Sequence, residues 1–87
     1  MAWTLEYDAA ARKQLRKLGR ADSQRIISAQ EEIANLANPR DHGKIMSANY
    51  AGHWRYRFGD FRVITKIENG RLVIVVIAVG YRRSVYR

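Results

Sequence analysis

The stretch that decides the fold is HWRYRFGDFRV, residues 53–63. Its residue character alternates with a period of two, which is the pattern of a β-strand with two different faces. Gly59-Asp60 interrupts the alternation and suits a two-residue hairpin loop, because a type II′ turn prefers glycine at its first position. The stretch therefore predicts two antiparallel strands joined by a tight turn.

The predicted hairpin has one aromatic face, with Trp54, Tyr56 and Phe58, and one basic face. The loop sets these residues opposite each other: Phe58 and Phe61, Arg57 and Arg62, Arg55 and Ile64, His53 and Lys66. Like charges placed directly opposite each other destabilise a sheet by up to about 1 kcal/mol per pair. We therefore interpret the Arg57–Arg62 pair as part of a site that holds an anion.

Composition and charge favour one folded, basic domain over residues 1–87. The chain is 47% hydrophobic, so it can bury a core, and it has no cysteine, which excludes disulfides and thiolate metal sites. The absence of a signal sequence and of an apolar run of transmembrane length predicts a cytoplasmic protein with no membrane contact.

Lys and Arg outnumber Asp and Glu by eight to two in residues 53–87, but only by eight to six in residues 1–52. This asymmetry predicts a polyanionic partner for the C-terminal part.

The remaining sequence predicts two helices and four more strand segments. A short strand over 2–7 precedes Asp8, which can cap a helix with the apolar stripe Ala11, Leu15 and Leu18. A second helix is predicted from Asp22 or Ser23 to Ala37, where Asn38-Pro39 ends it. Further strands are predicted over 44–46, 63–67 and 72–79, the last two joined by an Asn69-Gly70 loop. Two amphipathic helices need an apolar surface, which the aromatic sheet face supplies.

An apolar strip is predicted beside the basic face. With Asn69-Gly70 as a two-residue loop, the helices cover Leu72, Ile74, Val76 and Ala78. The opposite face then carries an uncovered strip of Ile64, Val73, Val75 and Ile77. We expect an apolar helix of a partner to dock on this strip.

Four motifs together resemble a known family over essentially the whole chain. They are Trp-Arg-x-Arg-x-Gly-Asp-Phe-Arg-Val (54–63), Val-Gly-x-Arg-Arg-x-Val-Tyr-Arg (79–87), Trp-x-Leu-x-Tyr-Asp (3–8) and Leu-Arg-Lys-Leu (15–18). The chain resembles the RelE-type mRNA interferase toxins of the RelE/ParE superfamily, the toxin half of bacterial type II toxin–antitoxin pairs. The resemblance implies an α+β fold, with two N-terminal amphipathic helices packed on one face of a small, mostly antiparallel twisted sheet.

The resemblance also implies an activity and its partners. RelE-type toxins enter the ribosomal A site and cut mRNA by attack of a ribose 2′-hydroxyl, without a metal or other cofactor. The implied partners are a cognate antitoxin, the ribosome and mRNA, with operator DNA reached only through the antitoxin. By the resemblance, Arg62 contacts the scissile phosphate, Arg82 assists the leaving group or the phosphate, and Tyr86 stacks on a base or transfers a proton. The expected catalytic residues are Arg57, Arg62, Arg82 and Tyr86, and the expected RNA-binding residues are His53, Arg55, Lys66, Arg83 and Arg87.

Two departures from the family pattern leave the general base open. Arginine replaces lysine at the candidate base position, and its pKa above about 12 makes it a poor base. Tyr81 stands where many relatives carry histidine, so the base is either Tyr86 or His53. Two isolated histidines and scattered carboxylates predict no metal site.

Two other functions fit the same residues. A ParE-like protein on this fold would inhibit DNA gyrase without cutting RNA. A non-enzymatic RNA-binding module would need stacking aromatics on the basic face. The hairpin aromatics are predicted on the other face, which disfavours that module.

Overall fold

A computed structural model of the chain describes residues 3–81, which form two helices and a five-stranded mixed sheet. The helices are α1 (Ala9–Leu18) and α2 (Arg20–Ala34). The strands are β1 (Thr4–Tyr7), β2 (Lys44–Ile45), β3 (Trp54–Phe58), β4 (Phe61–Glu68) and β5 (Val73–Tyr81). Their order in the sheet is β1-β5-β4-β3-β2, with β1 parallel to β5 and the other pairs antiparallel. The predicted α+β architecture is confirmed.

The two helices are separated by a single glycine. Asp8 caps α1 as predicted, since its Oδ1 accepts a hydrogen bond from the Ala11 N–H at 2.8 Å. Gly19 has a φ of 88° and lets the chain turn at once into α2. Helix α2 begins two residues earlier than Asp22, because the N–H of Ser23 already bonds the Gly19 carbonyl. It ends at Ala34 rather than Ala37, because the Leu36 N–H bonds the Ile33 carbonyl three residues back and the Ala34 carbonyl accepts from the Trp3 N–H. Asn38 caps a 3₁₀ turn over Pro39–Asp41.

The core lies between the helices and the aromatic face of the sheet. Ala11 on α1, Ile26 on α2, and Val63 and Val76 on the strands are fully buried. Trp54, Tyr56 and Phe58 lie on this side, as the alternation predicts. The opposite face of the sheet is therefore the one that carries the basic residues.

The first hairpin has the predicted register. Phe58 pairs with Phe61 and Arg57 with Arg62 around a loop in which Gly59 has a φ of 58°. The pairing of β3 with β4 ends at Trp54 and Thr65, so the predicted pairing of His53 with Lys66 is wrong. The chain turns just before β3, and the His53 N–H bonds the Tyr50 carbonyl instead.

The second hairpin differs from its prediction in loop length. Glu68 pairs with Val73, so the loop contains the four residues 69–72, and Leu72 takes a left-handed φ of 55°. The pairing is shifted by an even number of residues. Val73 and Val75 therefore keep the predicted face, because only an odd shift exchanges the faces of a strand.

A β-bulge in β5 changes the faces beyond that point. Thr65 pairs with Val76 and Ile64 with Ala78, which leaves Ile77 as the extra residue. Ala78 therefore lies on the face away from the helices, whereas the sequence predicted it on the helix side. After the bulge, Val79 faces the helices, and its N–H donates to Gln14 Oε1 on α1 at 2.7 Å.

The face away from the helices is partly covered by the chain itself. Arg71 bridges Glu68 on β4 and Glu6 on β1, at 3.0 and 3.5 Å, and so spans β5. Val73 lies between these two strands and is only 5% exposed, while Ile64 is fully buried. The predicted uncovered strip is therefore wrong for Ile64 and Val73. Val75 and Ile77 are half-buried.

Candidate functional site

Four basic side chains meet where the first hairpin joins the edge strand β2. Lys44 on β2 pairs with Arg55 on β3, and Arg57 on β3 pairs with Arg62 on β4. Paired residues of a sheet share a face, so all four lie on the face away from the helices. We call Lys44, Arg55, Arg57 and Arg62 the cationic cluster. Its two like-charge pairs each oppose sheet formation by up to about 1 kcal/mol, a cost that an anion between the side chains would offset.

All four residues of the cationic cluster line a groove of about 620 Å³. The groove lies along the outer edge of β3 from Arg55 to Phe58, on the side of Lys44 where β2 has not yet begun, and its other wall is the C-terminal part of helix α2. That wall is apolar, with Ala29 and Ile33 on α2 and Leu36 just after its end, and Glu32 is the acidic residue on it. We call this cavity the α2–β3 groove.

A second groove, of about 390 Å³, reaches the cluster from the other side. It lies between the segment 45–50 and the side chains of Arg55 and Arg62. These two arginines therefore line both grooves. A phosphate group between Arg55 and Arg62 would be open to both grooves, so a nucleic acid strand could pass from one groove into the other at this point.

Side-chain hydrogen bonds fix the segment 39–43 against β3 and so support the cluster. The Trp54 indole donates to the His42 carbonyl at 2.6 Å, and the Tyr56 hydroxyl donates to the Pro39 carbonyl at 2.7 Å. Burial raises the pKa of Tyr56, and the nearby charge of Arg40 lowers it only in part. The hydroxyl therefore remains a protonated donor at neutral pH.

Not every predicted site residue joins the cluster. His53 lines neither groove and lies four residues before Arg57, about 13 Å along an extended chain. Its Nδ1 is 3.2 Å from the Tyr50 carbonyl oxygen, which accepts a hydrogen bond in the tautomer that carries a proton on Nδ1. Lys66 shares the face of Arg62 but lies four positions along β4, beside Val75. Arg55, Arg57 and Arg62 are the predicted residues that the structure brings together.

Four predicted residues, Arg82, Arg83, Tyr86 and Arg87, lie outside the described residues. The last described residue, Tyr81, pairs with Phe61, and Gly80 pairs with Arg62. The sequence therefore continues to Arg82 from a position next to the cationic cluster.

Lys44 was missed by the sequence analysis. The strand over 44–46 was predicted, but two paired residues carry too little periodicity to give a register, so no partner for Lys44 could be assigned. The apolar wall of the groove was also not predicted to belong to a site, because the spacing of Ala29, Ile33 and Leu36 is typical of residues that face a core.

No three His, Asp or Glu side chains within residues 3–81 come together as a metal site requires. Neither described helix has the length and apolar character needed to cross a membrane.

The fold and the cluster define a small basic α+β protein with four cationic side chains gathered on one face of its sheet. Guanidinium groups hold phosphate oxygens in a bidentate manner and retain their charge at all physiological pH values. Two arginines fixed on paired strands can thus stabilise negative charge that develops on a phosphate.

Comparison with known proteins identifies the family. The family model described as "ParE toxin of type II toxin-antitoxin system, parDE" matches residues 5–86. Toxin RelG of Mycobacterium tuberculosis is 30% identical over 90 residues, covering 100% of this chain and 99% of that protein. This chain belongs to the ParE toxin family of type II toxin–antitoxin systems, within the RelE/ParE superfamily.

Solved structures of toxins from this superfamily share the fold. The toxin–antitoxin complex RelBE2 from M. tuberculosis contains a chain with a TM-score of 0.73 and 27% identity, covering 94% of this chain and 93% of that one. A free mutant form of the Escherichia coli toxin RelE gives a TM-score of 0.76 at 22% identity, over 99% of this chain and 92% of that one. The archaeal RelE–RelB complex from Pyrococcus horikoshii gives 0.72 at 22% identity, over 97% and 99%.

Proposed function

We propose that this toxin is a ribosome-dependent endoribonuclease that cuts mRNA in the A site without a metal ion. The observation that carries the proposal is the cationic cluster, with Arg57 and Arg62 directly opposite each other and Arg55 beside them. The similarity to Toxin RelG and to RelE structures supports the same assignment.

In the proposed reaction, the ribose 2′-oxygen attacks the adjacent phosphorus while the bond from phosphorus to the 5′-oxygen breaks. A general base takes the proton of the 2′-hydroxyl, and a proton is delivered to the departing 5′-oxygen. The products are a 2′,3′-cyclic phosphate and a free 5′-hydroxyl. Arg57 and Arg62 hold the non-bridging oxygens, where an additional negative charge develops. Arg82 stabilises the phosphate or the leaving group.

We assign the general base to Tyr86 rather than His53. The imidazole of His53 is a chemically suitable base, but the residue lines neither of the grooves that reach Arg62. A base must come within hydrogen-bond distance of the proton that it removes. A neighbouring arginine favours the phenolate of a tyrosine and so lowers its pKa from about 10 toward the working range.

The proposed partners follow from this activity. Arg55 holds the RNA backbone together with His53, Lys66, Arg83 and Arg87 at the margins of the site. A cognate antitoxin neutralises the toxin, as the RelBE complexes of relatives suggest, and the half-buried Val75 and Ile77 are part of its contact surface. Operator DNA is reached through the antitoxin. The toxin acts in the cytoplasm, where translating ribosomes are found.

The test is primer extension on an mRNA paused on purified ribosomes. Wild-type protein should cut within the A-site codon, and Arg62→Ala and Tyr86→Phe should each lower the single-turnover rate by about a hundredfold or more. Arg16→Ala removes one exposed cation from α1 and should cleave like the wild type. Cleavage at the wild-type rate by Arg62→Ala would refute the assigned role of the cluster.

Inhibition of DNA gyrase is the second candidate function. The observation that favours it is that the matching family model bears the name of the ParE toxin. A supercoiling assay with purified gyrase separates the two functions. Loss of supercoiling in the presence of a protein that leaves ribosome-bound mRNA intact would establish the gyrase inhibitor and reject the ribonuclease.

A further inference from the structure

The second groove, which we call the 45–50 groove, opens directly from the cationic cluster. Arg55 and Arg62 line it, and its other lining residues all belong to the segment 45–50. Its volume of about 390 Å³ lies at the lower end of the range for cavities that bury a small ligand. A phosphate between the two arginines therefore has room beside it for one nucleoside.

The interior of the 45–50 groove combines an apolar surface with a hydrogen-bonding group. Met46 supplies a thioether, which makes favourable contacts with aromatic rings, and Tyr50 supplies an aromatic ring. The Asn49 amide offers two N–H donors and one carbonyl acceptor, and within residues 3–81 this side chain makes no hydrogen bond. A nucleobase is a flat aromatic ring with donors and acceptors on its edge, so it matches both parts of this surface.

The segment 45–50 is held in a closed turn by backbone hydrogen bonds. The Met46 N–H donates to the His53 carbonyl at 2.9 Å, and the Met46 carbonyl accepts from the Gly52 N–H at 3.4 Å. Between these bonds, Ala48 takes a left-handed φ of 56°, which is uncommon for a residue with a Cβ atom. Strained backbone of this kind persists only where the surrounding structure holds it, and it concentrates at functional sites. Ala48 directly precedes Asn49, so the strained residue sets the position of the amide.

His53 lines neither groove but supports the aromatic wall of the 45–50 groove. Its ring lies 6.0 Å from the ring of Tyr50, centroid to centroid, at an interplanar angle of 86°. Aromatic pairs favour this edge-to-face arrangement. The His53 Nδ1 also lies 3.2 Å from the Tyr50 carbonyl oxygen. Both contacts hold Tyr50 in place at the wall.

We propose that the 45–50 groove is a base-recognition pocket for one nucleotide next to the scissile phosphate. The two arginines hold the phosphate, Met46 and Tyr50 contact the ring of the base, and the Asn49 amide pairs with its polar edge. Asn49 thus determines which base is accepted and takes no part in bond cleavage. The identity of the ligand as mRNA rests on the proposed function, whereas the chemistry of the pocket rests on the groove itself.

The α2–β3 groove suits a base less well. Its α2 wall is aliphatic and carries Glu32, which repels a phosphate backbone. The ring of Phe58, which lines this groove, already stacks on Tyr56 with ring centroids 6.1 Å apart and an interplanar angle of 7°. None of the described residues that line the 45–50 groove is acidic. Of the two grooves that reach the arginines, the 45–50 groove therefore accommodates a nucleotide at the lower electrostatic cost.

The experiment measures, by primer extension, the cleavage of ribosome-bound mRNAs that differ by one base at each position around the A-site cut. The wild type should prefer one base by about fivefold or more at one position. Asn49→Ala should reduce this preference to less than about twofold, because the amide that pairs with the base is removed. Asn49→Asp should move the preference toward guanine, since a carboxylate only accepts hydrogen bonds and guanine presents two adjacent N–H groups.

Asn35→Ala is the matched control. It removes the same amide from an exposed position that lines neither groove, and it should keep the wild-type preference. A base preference is a ratio of rates measured with one protein sample. A variant that is only partly folded therefore cuts more slowly but shows an unchanged preference.

Two outcomes of the cleavage assay would overturn the proposal. One is a wild type that cuts all four bases at equal rates at every position, and the other is a preference that Asn49→Ala leaves unchanged. Binding without ribosomes is measured separately, by fluorescence anisotropy of labelled hexanucleotides of adenylate, cytidylate or uridylate. Selective binding that Asn49→Ala abolishes, in a protein that cuts no mRNA, would preserve the pocket and reject the ribonuclease. Cleavage in the A-site codon with a preference independent of Asn49 would do the opposite, and a protein that shows neither cleavage nor selective binding would reject both.

Discussion

Replacing Gly43 with alanine tests how tightly the edge segment must pack to hold the cationic cluster. Gly43 has a φ of 78° and lies against β3. A Cβ atom there would overlap the backbone carbonyl oxygen of Arg55 and would lie 2.8 Å from Trp54 Nε1 and 2.9 Å from Tyr56 Cδ1. Since one of these neighbours is backbone and Trp54 and Tyr56 are held by hydrogen bonds, none can move without disturbing β3.

The expected loss of stability has two parts. The left-handed backbone conformation costs an alanine about 1–2 kcal/mol. Forcing a methyl group into an occupied space costs about 1–3 kcal/mol more. We therefore expect Gly43→Ala to lower the free energy of unfolding by about 2–5 kcal/mol, a large fraction of the stability of a domain of this size.

Gly52→Ala is the matched control, because Gly52 has a similar φ of 85° but no heavy atom within 4 Å of the added Cβ. It should lose only the conformational part, about 1–2 kcal/mol. Urea unfolding of both variants followed by circular dichroism measures the difference. Equal losses for the two variants would refute the conclusion that Gly43 is required by close packing against β3. RNA affinity, measured on the folded fraction of Gly43→Ala, should also fall, because Arg55 is the residue displaced.

Three further predictions concern single side chains. Tyr56→Phe should cost about 1 kcal/mol at neutral pH through loss of the bond to Pro39. The raised pKa of Tyr56 in the folded state contributes stability that is complete below about pH 10 and is lost as the pH rises further, at up to about 1.4 kcal/mol per pH unit. The urea midpoint of Tyr56→Phe should therefore fall less steeply with pH above pH 10 than that of the wild type. Equal slopes for the two proteins would contradict the role assigned to the Tyr56 hydroxyl. Lys44→Ala should reduce the slope of log affinity against log salt for single-stranded RNA by about 0.7, with Lys13→Ala as the cation-matched control; an unchanged slope would remove Lys44 from the site. Asp8→Ala should lower stability by about 1 kcal/mol through loss of the α1 cap, whereas Asp22→Ala should cost less than about 0.5 kcal/mol by the same urea assay.

The sequence was most informative where structure depends on neighbours along the chain. The hairpin around Gly59 has the predicted register from Arg55 to Ile64, because the alternation and the turn preference are both local. The cap at Asp8 was predicted for the same reason. The end of α2 was not predicted, because it depends on a contact with the start of the chain, where the Trp3 N–H donates to the Ala34 carbonyl.

The misplaced residues depend on contacts between distant segments. The bulge at Ile77 leaves the Val79 N–H directed to Gln14 on α1, a contact 65 residues away in sequence. No local pattern could indicate it, so Ala78 was placed on the wrong face. Lys44 joined the candidate site only when the pairing of β2 with β3 was known. The roles proposed for Arg82 and Tyr86 rest on the family resemblance alone.

The bridge formed by Arg71 has a consequence for how a polyanion approaches. At its end of the sheet, Arg71 and Lys66 lie with Glu6 and Glu68, and Arg40 donates to Asn69, whereas the hairpin end carries the four cations of the cationic cluster. The strand β4 that connects the two ends is about 26 Å long, and charges in physiological salt are screened beyond about 8 Å. On this face, an incoming nucleic acid is therefore attracted more strongly by the hairpin end and is rotated toward it before contact. The fraction of collisions that begin in a productive orientation rises, and this advantage in association rate disappears as salt is added.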